Sequence, residues 1–190
     1  MPRNKEFDYD EKLEAARNLF WRKGYNATSM SNLEEAMQIN RSSLYMTYGN
    51  KHDLFVKSLV NYIAMKDRQY NEAAEKGKDP LESIANIITS VSKSAIQDKN
   101  CLFTNAVFEM ALSDTKVNQL LKQQNLKAVG VFEKLLKQAK EQGLLNSDKE
   151  PRLLAHFLVS SLVSIYNTHI VFGDQKLTQQ TTEILIASIK

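Results

Sequence analysis

The stretch from Tyr25 to Phe55, Tyr-Asn-Ala-Thr-Ser-Met-Ser-Asn-Leu-Glu-Glu-Ala-Met-Gln-Ile-Asn-Arg-Ser-Ser-Leu-Tyr-Met-Thr-Tyr-Gly-Asn-Lys-His-Asp-Leu-Phe, reads as two short helices about a turn, then the entry to a third helix. Ser29 can cap the first, whose inner face is Met30, Leu33 and Met37, and Asn40 can cap the second, which carries Leu44 and Tyr48. Gln38-Ile39 is the turn between them. Asn50 followed by Asp53 makes a capping-box-like entry to the next helix, with Asp standing where Glu is usual, and Leu54, Phe55, Ser58, Leu59 and Tyr62 continue at helical spacing. Two short capped helices about a tight turn, the second starting polar over an apolar inner face, form a helix-turn-helix.

Outward from this motif the helical pattern continues in both directions. Leu13, Ala16, Leu19 and Phe20 mark a helix from Tyr9 to Lys23, stopped by Gly24. Beyond the motif, a long helix ends before Gly77, and Pro80 suits the first turn of another that runs from about Leu81 to Gln97. Further helices are expected over Leu102–Leu112, from Asp114 to Gly143 and from Pro151 to Phe172, and a last one opening at Thr178. The Pro151–Phe172 stretch is so apolar that burial on more than one face is expected. Six Gly and three Pro in 190 residues disfavour a turn-rich β architecture. The expected fold is all-α: an N-terminal helix-turn-helix domain over residues 1–52 and a C-terminal helical domain over residues 53–190.

Charge narrows the function. The net charge of +3 permits a polyanionic partner without demanding one, and its distribution says more than the total. From Ala36 to His52 there is no acidic residue, while Arg41 and Lys51 are basic, and the N-terminal arm adds Arg3 and Lys5. Acidic residues precede that stretch, Glu34 and Glu35 among them, so the basic face is narrow and suits a short groove contact. The single cysteine, Cys101, excludes an intramolecular disulfide and makes the cytoplasm the default compartment. No uninterrupted apolar run of spanning length is present, so no membrane partner is expected.

A helix that reads a major groove must present polar side chains near its N-terminus while its inner face is anchored in a core. Asn40, Arg41, Ser42 and Ser43 stand at that start and Leu44 points inward. Arg41 can reach guanine or a phosphate, the serines can make short hydrogen bonds, and the Tyr45 hydroxyl can reach the DNA backbone. Lys51, at the start of the following helix, adds its ammonium to free backbone amides that favour a phosphate. The plainer alternative is an ordinary solvated helical hairpin.

Phe20…Lys23-Gly24-Tyr25…Ala27-Thr28-Ser29, followed by Ile39-Asn40-Arg41-Ser42-Ser43-Leu44-Tyr45…Tyr48-Gly49-Asn50-Lys51…Leu54-Phe55, resembles the N-terminal domain of TetR-type transcriptional regulators over roughly the first 60 residues. The resemblance implies that Arg41, Ser42, Ser43, Tyr45, Thr47 and Lys51 contact DNA and that the rest of the chain is a helical ligand-binding and dimerisation domain. Gln38 replaces the glycine common in the family's turn, at a cost of about 1 kcal/mol if it must be left-handed. Tyr48 replaces the usual Phe and reads as a core aromatic.

Asn100-Cys101-Leu102-Phe103-Thr104-Asn105…Glu109 resembles a Gly-Cys-Leu-x-x-Asn stretch found in the branch of that family with Ile-Asn-Arg-x-Ser-Leu-Tyr at the recognition helix, with Asn100 in place of Gly, and some regulators of that broad group use such a cysteine to sense electrophiles or oxidants. With Asn100 as cap, Cys101 falls in the first turn of its helix, where free amides and nearby Lys99 favour a thiolate. A plain buried thiol is the alternative. A non-covalent pocket lined by Phe103, Phe108, Met110, Phe132, Tyr166 and His169 is a second option, against which stands ordinary core packing. His169 has no sequence-adjacent ligand cluster, so neither a metal nor a cofactor is expected. The last two helices are expected to pair two copies, placing two reading helices about 34 to 36 Å apart on a palindrome.

These readings converge on a regulator, most simply a homodimeric repressor released from a double-stranded operator by a small-molecule inducer or by thiol modification. Two rivals belong to other classes. A helical protein-interaction module would leave duplex DNA unbound, and an enzyme using Cys101 as nucleophile would need a positioned base that the sequence around it does not supply.

Overall fold

Each expected helix start is a capping problem, and the side chains that solve it set the element boundaries. In the computed structural model, which describes residues 7–145 and 148–189, the elements are α1 (Tyr9–Lys23), α2 (Met30–Met37), α3 (Arg41–Tyr48), α4 (Lys51–Ala74), α5 (Pro80–Asp98), α6 (Leu102–Met110), α7 (Thr115–Glu141), α8 (Pro151–Phe172) and α9 (Gln175–Ala187). No strand occurs among the described residues, so the fold is all-α. Arg3 and Lys5 of the N-terminal arm lie outside them.

Ser29 and Asn32 close a reciprocal box at α2, with bonds of 3.1 and 3.2 Å between each side chain and the other's backbone N–H. The Asn40 side chain accepts from the Ser43 N–H at 2.8 Å, and Asn50 and Asp53 exchange the same pair of bonds at the start of α4. Between α2 and α3, Gln38 is left-handed at φ 52 and ψ 40, so the chain turns where a glycine would turn without strain.

The chain divides into two compact units. The first holds the described residues up to Met65 together with Leu102–Asn118, and so contains α1, α2, α3, the N-terminal part of α4, and α6. Its core joins Ala16 and Phe20 of α1 to Leu33 and Met37 of α2, Leu44 and Tyr48 of α3, and Leu54, Phe55 and Leu59 of α4, all essentially buried. Phe20 meets Phe55 edge-on with ring centroids 5.1 Å apart, and Tyr25 meets Phe55 at 4.9 Å. Tyr48 is fully buried, donates its hydroxyl to the Tyr9 carbonyl at 2.8 Å and stacks on the Tyr9 ring. It is a core aromatic. Burial, followed by neighbouring Tyr9, Asp10 and Asp8, pushes its pKa up to about 12.

The second unit comprises Lys66–Cys101 and the described residues from Gln119 onward. There α5, α8 and α9 pack pairwise against one another, burying Ile84, Ile88 and Val91 of α5, Leu158 and Ile165 of α8, and Leu185 of α9. Polar pairs are threaded through it. The Thr182 hydroxyl donates to the Thr178 carbonyl at 2.7 Å and accepts from Ser92 at 2.9 Å, and the buried Lys66 ammonium bonds Asp98 at 2.8 Å and Ser94 at 3.1 Å.

Three expectations need correction. The last helix opens at Gln175, not at Thr178, because the Asp174 side chain caps the Leu177 N–H, while Thr178 turns its hydroxyl back to the Asp174 carbonyl inside the core. Cys101 precedes the first residue of α6 instead of lying in its first turn, and its N–H is taken by the Asn100 side chain at 2.8 Å. Finally, α8 buries one face only: Pro151, Ala155, Leu158, Val159, Ile165, Tyr166 and His169 are inside, whereas Leu153, Phe157, Ile170, Val171 and Phe172 are exposed. By length and apolarity it is the one described helix that could cross a bilayer, yet its inner face is used against α5 and α9.

Candidate nucleic-acid interface

The eight residues of α3 divide cleanly. Leu44 and Tyr48 are fully buried and hold the helix on its unit, which leaves Arg41, Ser42, Tyr45, Met46 and Thr47 exposed and Ser43 half-buried. Of the sequence-predicted contact residues, Arg41, Ser42, Tyr45 and Thr47 thus lie on the solvent side of α3, with Asn40 exposed at its cap. Met46 was not among them. At 82% exposure it stands on the same side, and its helical offset from Leu44 and Tyr48 already implied as much. A flexible thioether there suits apolar contact with a thymine methyl.

The Arg41 guanidinium is not free in solvent. Its Nε and Nη2 donate to one carboxylate oxygen of Glu34 on α2 at 3.2 and 2.9 Å, and Nη2 also donates to the Ser31 hydroxyl at 3.2 Å. Glu34, one of the acidic residues that precede the basic stretch in sequence, therefore meets it in space. Lys51, the first residue of α4, sets its ammonium 4.3 Å from the centre of the Tyr25 ring. Burial lowers the Lys51 pKa from its usual value, and the charge of Glu109 opposes that shift.

Glu109 and Asp114 tie α6 and the turn after it to the rest of the first unit. The Glu109 carboxylate accepts from the Asn26 N–H at 2.7 Å. It lies so close to Gly24, at φ 77, that a Cβ there would collide with it. Asp114 accepts from the Val117 N–H at 2.9 Å, and its other oxygen lies against His52 Nε2 near the start of α4. The Val117 bond, ahead of the contact with His52, pulls the Asp114 pKa below the usual carboxylate value. Partners 62 and 83 residues apart in the chain left no local sequence signal for either contact.

The residues considered for effector response are divided between the units. Phe103, Phe108 and Met110 belong to the first, and Cys101, Phe132, Tyr166 and His169 to the second. Phe108 is 76% exposed because α6 buries Leu102, Ala106 and Met110 along its other side, so it lines no interior of its unit. Phe132 is core, and buried His169 has its Nδ1 3.2 Å from the Thr178 hydroxyl. Cys101 is buried in a polar neighbourhood with Tyr70 and Tyr166. Desolvation, chiefly, drives both phenol pKa values well up, so both stay protonated. No group of three or more His, Cys, Asp or Glu able to hold a metal occurs among the described residues.

Known proteins resemble this chain in sequence and in fold. Residues 13–57 match the family described as bacterial regulatory proteins, tetR family, and residues 77–185 match the tetracyclin repressor-like C-terminal domain. The uncharacterized HTH-type transcriptional regulator YezE of Bacillus subtilis (strain 168) is 31% identical over 98% of this chain and 98% of its own. The HTH-type transcriptional repressor ComR of Escherichia coli (strain K12) is 30% identical over 82% of this chain and 76% of its own. Two solved structures share the fold. A cysteine variant of the TetR family transcriptional regulator CifR, complexed with a 26-bp double-strand operator DNA, has a TM-score of 0.85 at 21% identity and covers 99% of this chain and 100% of that one. A TetR family regulator from Cytophaga hutchinsonii also has a TM-score of 0.85, at 16% identity, with 98% of each chain covered.

Proposed function

This chain belongs to the TetR family of DNA-binding transcriptional regulators, and from that premise we propose that it is a homodimeric repressor that reads a palindromic operator with α3. The observation that carries the proposal is the division of α3 between two buried anchors, Leu44 and Tyr48, and an exposed edge of Arg41, Ser42, Tyr45, Met46 and Thr47. A groove reader needs just such a helix. In this reading residues 1–52 form the reading head, with Asn40, Ser43 and Lys51 contributing at the ends of the motif, and residues 53–190 carry effector response and pairing. Relatives with names such as transcriptional repressor support a regulator over an enzyme or an interaction module.

Pairing is assigned to α8 and α9, where exposed Phe157, Ile170, Val171 and Phe172 of the one and Ile184 of the other offer apolar surface that a second copy would cover. Acting on chromosomal DNA, the protein works in the cytoplasm. Release follows when an inducer binds the DNA-incompetent arrangement better than the competent one. The buried neighbourhood of Cys101, Tyr70 and Tyr166 is where we place that response, through a bound small molecule or through the thiol.

Two experiments test this. Alanine at Tyr45 or Arg41 is expected to weaken binding to a duplex selected by the wild type from a random library by at least tenfold, with unaltered thermal unfolding; equal binding by both variants would remove α3 as the reader. Cys101→Ser is expected to abolish release of that duplex by N-ethylmaleimide. Undiminished release from the Ser variant would exclude the thiol and leave the non-covalent route.

A further inference from the structure

The clamp on Arg41 has a consequence for specificity. A guanidinium carries five N–H donors in a planar fork and grips phosphate best through two of them at once. Here the edge formed by Nε and Nη2 is turned toward α2, held by Glu34 and Ser31, and among the described residues only the Nη1 amino group carries no bond. Glu34 is the better buried partner, with a quarter of its side chain exposed against about half for Arg41.

We propose that Glu34, with Ser31, is a positioning and specificity-determining residue of the reading head. It commits three of the five Arg41 donors to α2 and offsets the cation, so that only the Nη1 group is left for DNA. Arg41 then acts as a directed contact to one acceptor group and not as a general phosphate clamp. Non-operator DNA, which is bound almost entirely through phosphate charge, gains least from an arginine so held. Operator DNA, which presents an acceptor at a fixed place, loses least. The inference rests on Arg41 facing DNA, as proposed above.

The test compares Glu34→Ala and Glu34→Gln with wild type on two duplexes, one selected from a random library by the wild-type protein and one of the same composition with scrambled order. Each is titrated across a salt series, with thermal unfolding as the check on folding. Both variants are expected to bind the scrambled duplex about three- to fivefold tighter, with a log–log salt slope steeper by up to about 0.9, as one additional phosphate contact requires. The selected duplex is expected to gain less, so the ratio of the two affinities falls. In an Arg41→Ala background, Glu34→Ala is expected to change neither affinity nor slope. The inference is overturned if Glu34→Ala tightens both duplexes by one factor, or acts equally with and without Arg41, since either result is simple removal of a negative charge. Arg41→Ala binding the selected duplex as tightly as wild type would instead overturn the premise that Arg41 faces DNA.

Discussion

Gln38 carries a cost the chain could have avoided. Its left-handed backbone, φ 52 and ψ 40, closes α2 with a residue whose Cβ crowds the carbonyl in that conformation. Gln38→Gly is expected to stabilise the protein by up to about 1 kcal/mol, a rise of roughly 2–4 °C in thermal midpoint, because relief of αL strain outweighs the larger chain entropy of glycine. A lowered midpoint would show that the side chain supports the turn. Asp114 behaves oppositely. Since the Val117 N–H and His52 hold its pKa below 3.8, its contribution is fully present above that value and is lost as pH falls through the lower, folded one. As pH falls below about 4 the wild type should therefore lose stability faster than Asp114→Asn, as read from unfolding midpoints at each pH. At this scale the caps were legible from sequence, since Ser29, Asn40 and Asn50 each bond a group three residues on. The Arg41–Glu34 clamp and the Glu109–Asn26 bond were not, because partners 7 and 83 residues apart meet only once the helices have packed.

Among the elements, the inward side of α3 was legible because one apolar pair four residues apart, Leu44 and Tyr48, decides it, although Met46 on the outer side was missed. The α8 helix departs from its expected burial. Its apolar content predicted burial on several faces, and Leu153, Phe157 and Phe172 remain exposed in the single chain. Hydrophobicity records that a face is to be covered and not by which copy. If a second copy covers it, Phe157→Glu combined with Ile184→Glu should convert the protein to a monomer in sedimentation at micromolar concentration, with helix content retained. A persistent dimer would move the interface elsewhere. The start of α9 was misplaced for a smaller reason: Asp174 and Thr178 are both competent caps, and the buried hydroxyl of Thr178 is used by the Asp174 carbonyl and His169 instead.

For the whole molecule, the unit that carries α3 is discontinuous. Leu102–Asn118, far along the chain, belongs to the same unit as α1 to α3, where Glu109 bonds Asn26 between α1 and α2 and Asp114 meets His52 at the start of α4, whereas the preceding residue, Cys101, belongs to the other unit. Sequence order suggested one boundary after the helix-turn-helix, and nothing local to α6 revealed which unit it would join. Selection from a random duplex library tests most directly whether α3 of two paired copies reads DNA. The expected result is enrichment of a palindrome with half-sites about one helical turn apart, bound in a ratio set by dimers and lost on Tyr45→Ala. Recovery of no enriched sequence, or of one bound equally well by the Tyr45→Ala protein, would mean that α3 is not the reader.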